Sequence, residues 1–387
     1  MSRIFLSAGD ASGELHAAAF VDALRARIPD ARFQGLGGVA MEKAGVELCV
    51  HQRELAIGGF VEVVSSARRL WRAWRTVTQA LARVRPDLLV LVDSPDFNLP
   101  LARRGRRLHI PILYYVSPQV WAWRRGRIRK IARRVDRLAV IFPFEPQEYR
   151  GSGLRVDYVG HPLVERMEAL RERLDRVGAR RALGLDPGAR WMALLPGSRR
   201  NEIRHGLGLQ LECARAVHAE RPEVRFAIAL APSLSRESVD EVIARARLPE
   251  GLELRLIEGR THELLLAADV ALAKPGTVTV EVTLLGCPFV VAARAHPLSA
   301  AIGRRVIAVP SLTMANLIAG APVVPEFLQE QARPERVARA LLALLEGPAR
   351  ELQQERLARV RESLGAGGAA ERAAAIAAEM LDEGIRA

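Results

Sequence analysis

Short apolar runs alternate with longer stretches of mixed polarity along the whole chain. IFLS, RFQGLG, LLVLVD, ILYYV and LAVIF fall in the first half; WMALLP, RFAIALA, LELRLIE, DVALAK and CPFVVAA fall in the second. The runs are nearly continuous in hydrophobicity, as strands buried on both faces are, and segments such as 201–220 and 334–345 carry a helical period. The pattern predicts an α/β protein built on doubly wound parallel sheets. Its rhythm starts at Arg3 and again near Arg190, so two facing Rossmann-like domains are expected, with a boundary near Gly160–Leu170. The expected divisions are 1–165, 166–350 and 351–387, the last a helical tail broken at GAGG.

Composition narrows the class. The chain has 387 residues, 49% of them hydrophobic, which suits a soluble globular protein of two domains. No apolar run is long enough to span a bilayer, and Met1-Ser2-Arg3 leads into a strand without a signal-peptide core, so the cytoplasm is the expected compartment. Cys49, Cys213 and Cys287 lie far apart and match neither a metal site nor a disulfide set. The net charge of +13 calls for an anionic partner: nucleic acid, phosphorylated substrate or acidic lipid. It is clustered. Residues 103–134 hold 11 Arg or Lys and residues 63–86 hold six Arg, neither with any acid.

Ligands of doubly wound sheets gather at the carboxyl ends of the strands, and the unusual residues lie in those loops. SAGDASGELH has the glycines of an anion-binding turn, Gly9 and Gly13, but carries Asp10 and Glu14 where a P-loop has lysine. Those carboxylates suit sugar hydroxyls; Glu14 equally suits its own helix N-terminus. LLPGSRR offers Gly197, Ser198 and Arg199 to a phosphate, and KPGTVTVE offers Gly276 and Thr277, with Glu281 placed to accept both hydroxyls of a ribose. Two such loops fit a nucleoside diphosphate in the second half, although a routine βα turn and a capping-box glutamate would look the same. LLVLVDSPDFN ends a buried strand in Asp93, nearer the strand than Asp96 and preferred as a general base; one of the two aspartates is expected to cap the following helix.

Two segments suggest surfaces. YYVSPQVWAWRR presents Ser117, Gln119, Trp121 and Trp123 ahead of a basic helix, for stacking, for a lipid headgroup layer, or for the core. The basic helix near 62–85 carries Leu70, Trp74, Val77 and Leu81 as one stripe and Arg68, Arg72 and Arg75 beside it, with Trp71; this fits a membrane interface or a buried packing face. His161 in VGHPL reads as structural.

SAGDASGE, DSPDFN, YYVSPQVWAWR, VGHPL, LLPGSR, KPGTVTVE and SLTMANLIAG…VPEFLQE occur in an order that resembles the lipid-A-disaccharide synthase family, from Ser7 to about Gln331. The resemblance implies an inverting glycosyltransferase of GT-B architecture, with C-terminal helices returning to the first domain. It implies transfer from UDP-2,3-diacylglucosamine to 2,3-diacylglucosamine 1-phosphate, giving a β-1,6-linked disaccharide and UDP in lipid A biosynthesis. Asp93 then corresponds to the base. Arg199 and Thr277 lie near the diphosphate, Glu281 at the nucleotide, and Asn316 with Gln329 in the donor-side loop. No cofactor or metal is implied, and the implied location is the cytoplasmic face of the inner membrane, held peripherally, with a homodimer as one option.

This chain departs from the family pattern in three places. Asp10 and Glu14 exchange the usual acid lengths, Lys274-Pro275 replaces a smaller or serine-containing approach to Gly276, and Met314-Ala315 precedes Asn316 in place of the usual proline. The competing readings are a UDP-N-acetylglucosamine 2-epimerase, a peptidoglycan glycosyltransferase, or a basic nucleic-acid binder. The last is disfavoured by the carboxylates Asp10, Glu14, Asp93 and Asp96, which repel a phosphate backbone.

Overall fold

The computed structural model describes residues 1–55, 63–123, 126–199, 202–232, 234–294 and 309–386. The chain forms two compact units: Met1–Pro162 with Ala366–Ala387, and Leu163–Gly365.

Unit 1 is built on seven parallel strands, β1 (Arg3–Ala8), β2 (Arg32–Gly37), β3 (Glu47–His51), β4 (Leu88–Val92), β5 (Ile112–Tyr115), β6 (Arg137–Val140) and β7 (Arg155–Tyr158), in the order β3-β2-β1-β4-β5-β6-β7. The order reverses between β1 and β4. Their register pairs Ala8 with Val92, so the loops that follow these strands emerge side by side. Unit 2 has six strands, β8 (Arg190–Leu195), β9 (Val224–Leu230), β10 (Leu254–Glu258), β11 (Val270–Ala273), β12 (Phe289–Ala293) and β13 (Glu326–Leu328), ordered β10-β9-β8-β11-β12-β13. Here β8 and β11 are the switch-point neighbours, and Leu195 pairs with Ala273.

The central strands are the apolar runs of the sequence. Every residue of β4, β5 and β11 is buried, because helices cover both faces of each sheet. Strands β3, β7 and β13 are missing from that set of runs. They lie at or next to sheet ends, are half exposed, and carry polar residues such as Glu47, Arg155 and Asp157. Arg137, buried in β6, ties this edge together: it donates to both oxygens of Asp157 in β7 at 2.7 and 3.3 Å and to Glu379 at 2.6 Å.

The last two helices part company. Pro348–Ser363 packs on helix Val278–Leu285 in unit 2, while Ala369–Arg386 packs along Ala11–Arg27 in unit 1. Gly365 and Gly368, with φ of +83° and +84°, make the turn between them in a backbone region that side chains disfavour. Arg372 then fixes the last helix by donating to the carbonyl of Val159 at 2.8 Å.

Candidate active site

Strand β4 is followed by two consecutive non-glycine residues with left-handed backbone, Asp93 (φ +45°) and Ser94 (φ +43°). Each costs about 1–3 kcal/mol and persists only where surroundings enforce it. The enforcing group is Asn98, wholly buried one helical turn on. Its amide donates to the carbonyls of Ser7, Val92 and Asp93 at 3.1, 3.0 and 2.8 Å, and its oxygen accepts from Ser7 Oγ at 2.7 Å. Tyr114 in β5 adds a 2.6 Å hydrogen bond to the same Asp93 carbonyl. The Asp93 carboxyl is therefore aimed by a buried network and leaves its own oxygens to other partners.

Burial pushes the Asp93 carboxyl up to about 6, and the charge of Asp10 pushes in the same direction. Asp10 caps helix Ala11–Arg27, accepting from Gly13 N at 2.8 Å, and its second oxygen accepts from Ser94 Oγ at 2.5 Å. Glu14, in the first turn of that helix, lies over Gly38: a Cβ there would sit 2.0 Å from Glu14 Oε2. Asp96 is different. Its side chain is 81% exposed and pairs with Arg127 at 2.9 Å. Neither aspartate is the N-cap of helix Pro95–Arg107, contrary to expectation; Ser94 holds that position. Sequence reasoning gave no role to Asn98 or Tyr114. A buried polar residue directly after DSPDF was the available signal.

In unit 2 the two glycine loops lie together, as the pairing of β8 with β11 requires. Ser198 and Arg199 are exposed, and their N–H groups donate to Glu202 Oε2 at 2.9 and 3.3 Å. Gly276 and Thr277 are exposed at the start of helix Val278–Leu285, where Gly276 has φ +146°. Glu281 lies 3.1 Å from His262 Nε2, so an imidazole orients the carboxylate. Asn316 is buried and clamps a turn: its oxygen accepts from Val323 and Val324 N–H at 2.8 Å, and its amide donates to the Val324 carbonyl at 2.9 Å. Gln329 opens a short 3₁₀ turn with φ +54°.

Several expected surface residues are interior. Trp121 is 2% exposed, its ring edge-on to Phe144 at 4.8 Å and its N–H on the buried Glu145 at 3.0 Å, so it presents no face to a lipid or a base. Ser117 is buried and bonded to the Tyr149 hydroxyl at 2.9 Å. Trp74 is half-buried, edge-on to Phe97 at 5.4 Å, with Val77 and Leu81 behind it. These three are packing residues because each ring or hydroxyl already has a partner inside unit 1. Gln119, Arg68, Arg72 and Arg75 are exposed, and Trp71 is 59% exposed with the Arg75 guanidinium 5.5 Å from its ring. The side chain of Trp123 and residues 124 and 125 lie outside the described residues. His161 is buried against Phe142, and burial holds it down to about 3, so it stays neutral.

Comparison with known proteins adds identity to this geometry. Residues 4–380 match the family model of lipid-A-disaccharide synthetase. The chain is 41% identical over 379 residues to a lipid-A-disaccharide synthase of Syntrophus aciditrophicus, covering 98% of this chain and 97% of that one. It is 42% identical over 389 residues to that of Myxococcus xanthus, covering 99% and 98%. Among solved structures it resembles the MurG protein of Acinetobacter baumannii (TM-score 0.56, 14% identity, 97% and 99% covered). It also resembles the UDP-GlcNAc 2-epimerase of Neisseria meningitidis bound to UDP-GlcNAc (TM-score 0.60, 12% identity, 98% and 99% covered). The calicheamicin glycosyltransferase CalG4 matches at TM-score 0.60 with 15% identity and 99% of each chain covered. These likenesses place the chain in the GT-B fold.

Proposed function

The chain belongs to the lipid-A-disaccharide synthase family, and from that premise we propose how its own residues perform the transfer. It is a glycosyltransferase of GT-B fold that acts in lipid A disaccharide synthesis. The proposed donor is UDP-2,3-diacylglucosamine and the proposed acceptor 2,3-diacylglucosamine 1-phosphate. Asp93 takes the proton of the acceptor's 6-hydroxyl as that oxygen attacks the anomeric carbon, and the bond to UDP breaks with its electron pair leaving on the diphosphate. A carboxyl poised near 6 is a better base than an ordinary aspartate and is still ionised at pH 7. Asp10 keeps Ser94, and with it the strained turn, in place. The amides and cation at Gly197–Arg199, with Gly276 and Thr277, receive the charge that develops on the diphosphate, and Glu281 receives the ribose.

The observation that carries this reading is the pinned left-handed turn at Asp93 within a chain similar to the family from end to end. Peripheral attachment at a membrane is proposed for the exposed face of helix Val63–Val84, where Trp71 and three arginines lie together. The test is UDP release from UDP-2,3-diacylglucosamine with and without the acylated acceptor. Acceptor-dependent release with disaccharide formation is expected. Acceptor-independent loss of UDP, or epimerisation of UDP-N-acetylglucosamine, would replace this reading with the epimerase one.

A further inference from the structure

Lys274 directly follows strand β11 where the family resemblance leads one to expect a small residue, and its side chain runs across both glycine loops of unit 2. An ideal Cβ on Gly197 would lie 2.9 Å from Lys274 Cδ, and one on Gly276 would lie 3.8 Å from Lys274 Nζ. Both glycines have positive φ, +116° and +146°, so neither position readily takes a side chain. The lysine stem thus fits because Gly197 is bare, and the ammonium lies next to Gly276.

Glu202 occupies the same ground. Its Oε1 accepts from Lys274 Nζ at 2.9 Å, while its Oε2 accepts from the N–H groups of Ser198 and Arg199. Burial alone would raise this carboxyl; Lys274 and the two amides outweigh it and hold it below the usual range. One internal carboxylate therefore collects an ammonium and two amides from two loops, which is the donor set a phosphate would use. Both partners are part exposed, with side chains 26% and 21% accessible, so an incoming anion can reach them.

We propose that Lys274 is a diphosphate-binding residue of this enzyme, held ready by Glu202 in place of the ligand. When the donor enters, the ammonium and the two amides turn from the carboxylate to the diphosphate. As the sugar–oxygen bond breaks, Lys274 donates a hydrogen bond to the oxygen that receives the electron pair. No proton need move. The arrangement adds a cation to that of Arg199 and rests on the reading that these loops take the diphosphate of a UDP-sugar.

The experiment is calorimetric titration of the full chain with UDP and with uridine, alongside kcat and KM for the glycosyl donor, in Lys274→Met, Lys274→Arg and Glu202→Gln. Lys274→Met is expected to weaken UDP roughly tenfold to a hundredfold, the range of a charge-assisted hydrogen bond, and to leave uridine unchanged. Lys274→Arg recovers most of the loss, and kcat falls along with affinity. Glu202→Gln, which removes the internal competitor, binds UDP as tightly as the parent or more tightly. UDP affinity indifferent to Lys274→Met overturns the assignment. So does an equal loss for UDP and uridine, which marks a merely structural lysine. A parent chain that binds no UDP at all overturns the glycosyl-transfer reading beneath it.

Discussion

Asp93, the proposed base, has its character set by its surroundings. Asn98 and Tyr114 fix its backbone, burial disfavours its charge, and Asp10 adds a repelling neighbour. Asp93→Ala is expected to lower kcat by about a hundredfold to ten-thousandfold, the usual worth of a general base, while UDP titration stays at the parent value; lost UDP binding would remove Asp93 from the acceptor side. Because the base must be ionised, kcat/KM should rise with pH through about 6 and flatten above it. Stability should run the other way. The folded chain binds this proton more tightly than the unfolded chain, so ionising Asp93 costs stability as pH rises from about 4 to about 6, and Asp93→Asn should melt higher than the parent above pH 6. Asn98→Ala strips four hydrogen bonds from a buried turn; a loss of about 2–4 kcal/mol is expected in chemical denaturation. Asp93 was legible as a candidate because it directly follows an apolar strand. Its supports were not, since Tyr114 reaches it only through the pairing of β4 with β5.

At the scale of elements, helix Val63–Val84 places its two tryptophans in different surroundings. Its periodicity showed an apolar stripe beside an arginine stripe, but periodicity is blind to whether a stripe meets the protein or a lipid. The structure packs Trp74 on Phe97 and leaves Trp71 outward under Arg75. Trp71→Ser should therefore reduce partitioning onto anionic vesicles in a sedimentation assay with an unchanged melting temperature, and Trp74→Ser should lower the melting temperature instead. Vesicle binding unaffected by Trp71→Ser would take the membrane role from this helix. The YYVSPQVWAWR segment teaches the same lesson. Its tryptophan signal was visible, yet Glu145 lies 24 positions away, and that buried carboxylate is what draws the Trp121 N–H inward.

At the scale of the molecule, the proposed function divides the chemistry between the two units, and the last two helices are divided between them as well. Protection from hydrogen exchange on adding UDP should appear around 195–202 and 274–281 in unit 2; protection centred on Gly9–Glu14 instead would reverse the assignment of the nucleotide. Ala377 is wholly buried in the last helix, which packs on Ala11–Arg27. Ala377→Asp places an unpaired carboxylate there and should destabilise unit 1 by several kcal/mol, seen as early exchange in its peptides, while UDP still protects unit 2. The α/β class, the central strands and the glycine turns can be read from neighbouring residues, because strand burial, helical period and turn chemistry are local properties. Which polar side chains are spent on one another emerges only in the folded chain. Lys274 meets Glu202 across 72 positions and Asn98 meets Ser7 across 91. Such contacts depend on strand order and register, which the folded sheet sets and no short window of sequence contains.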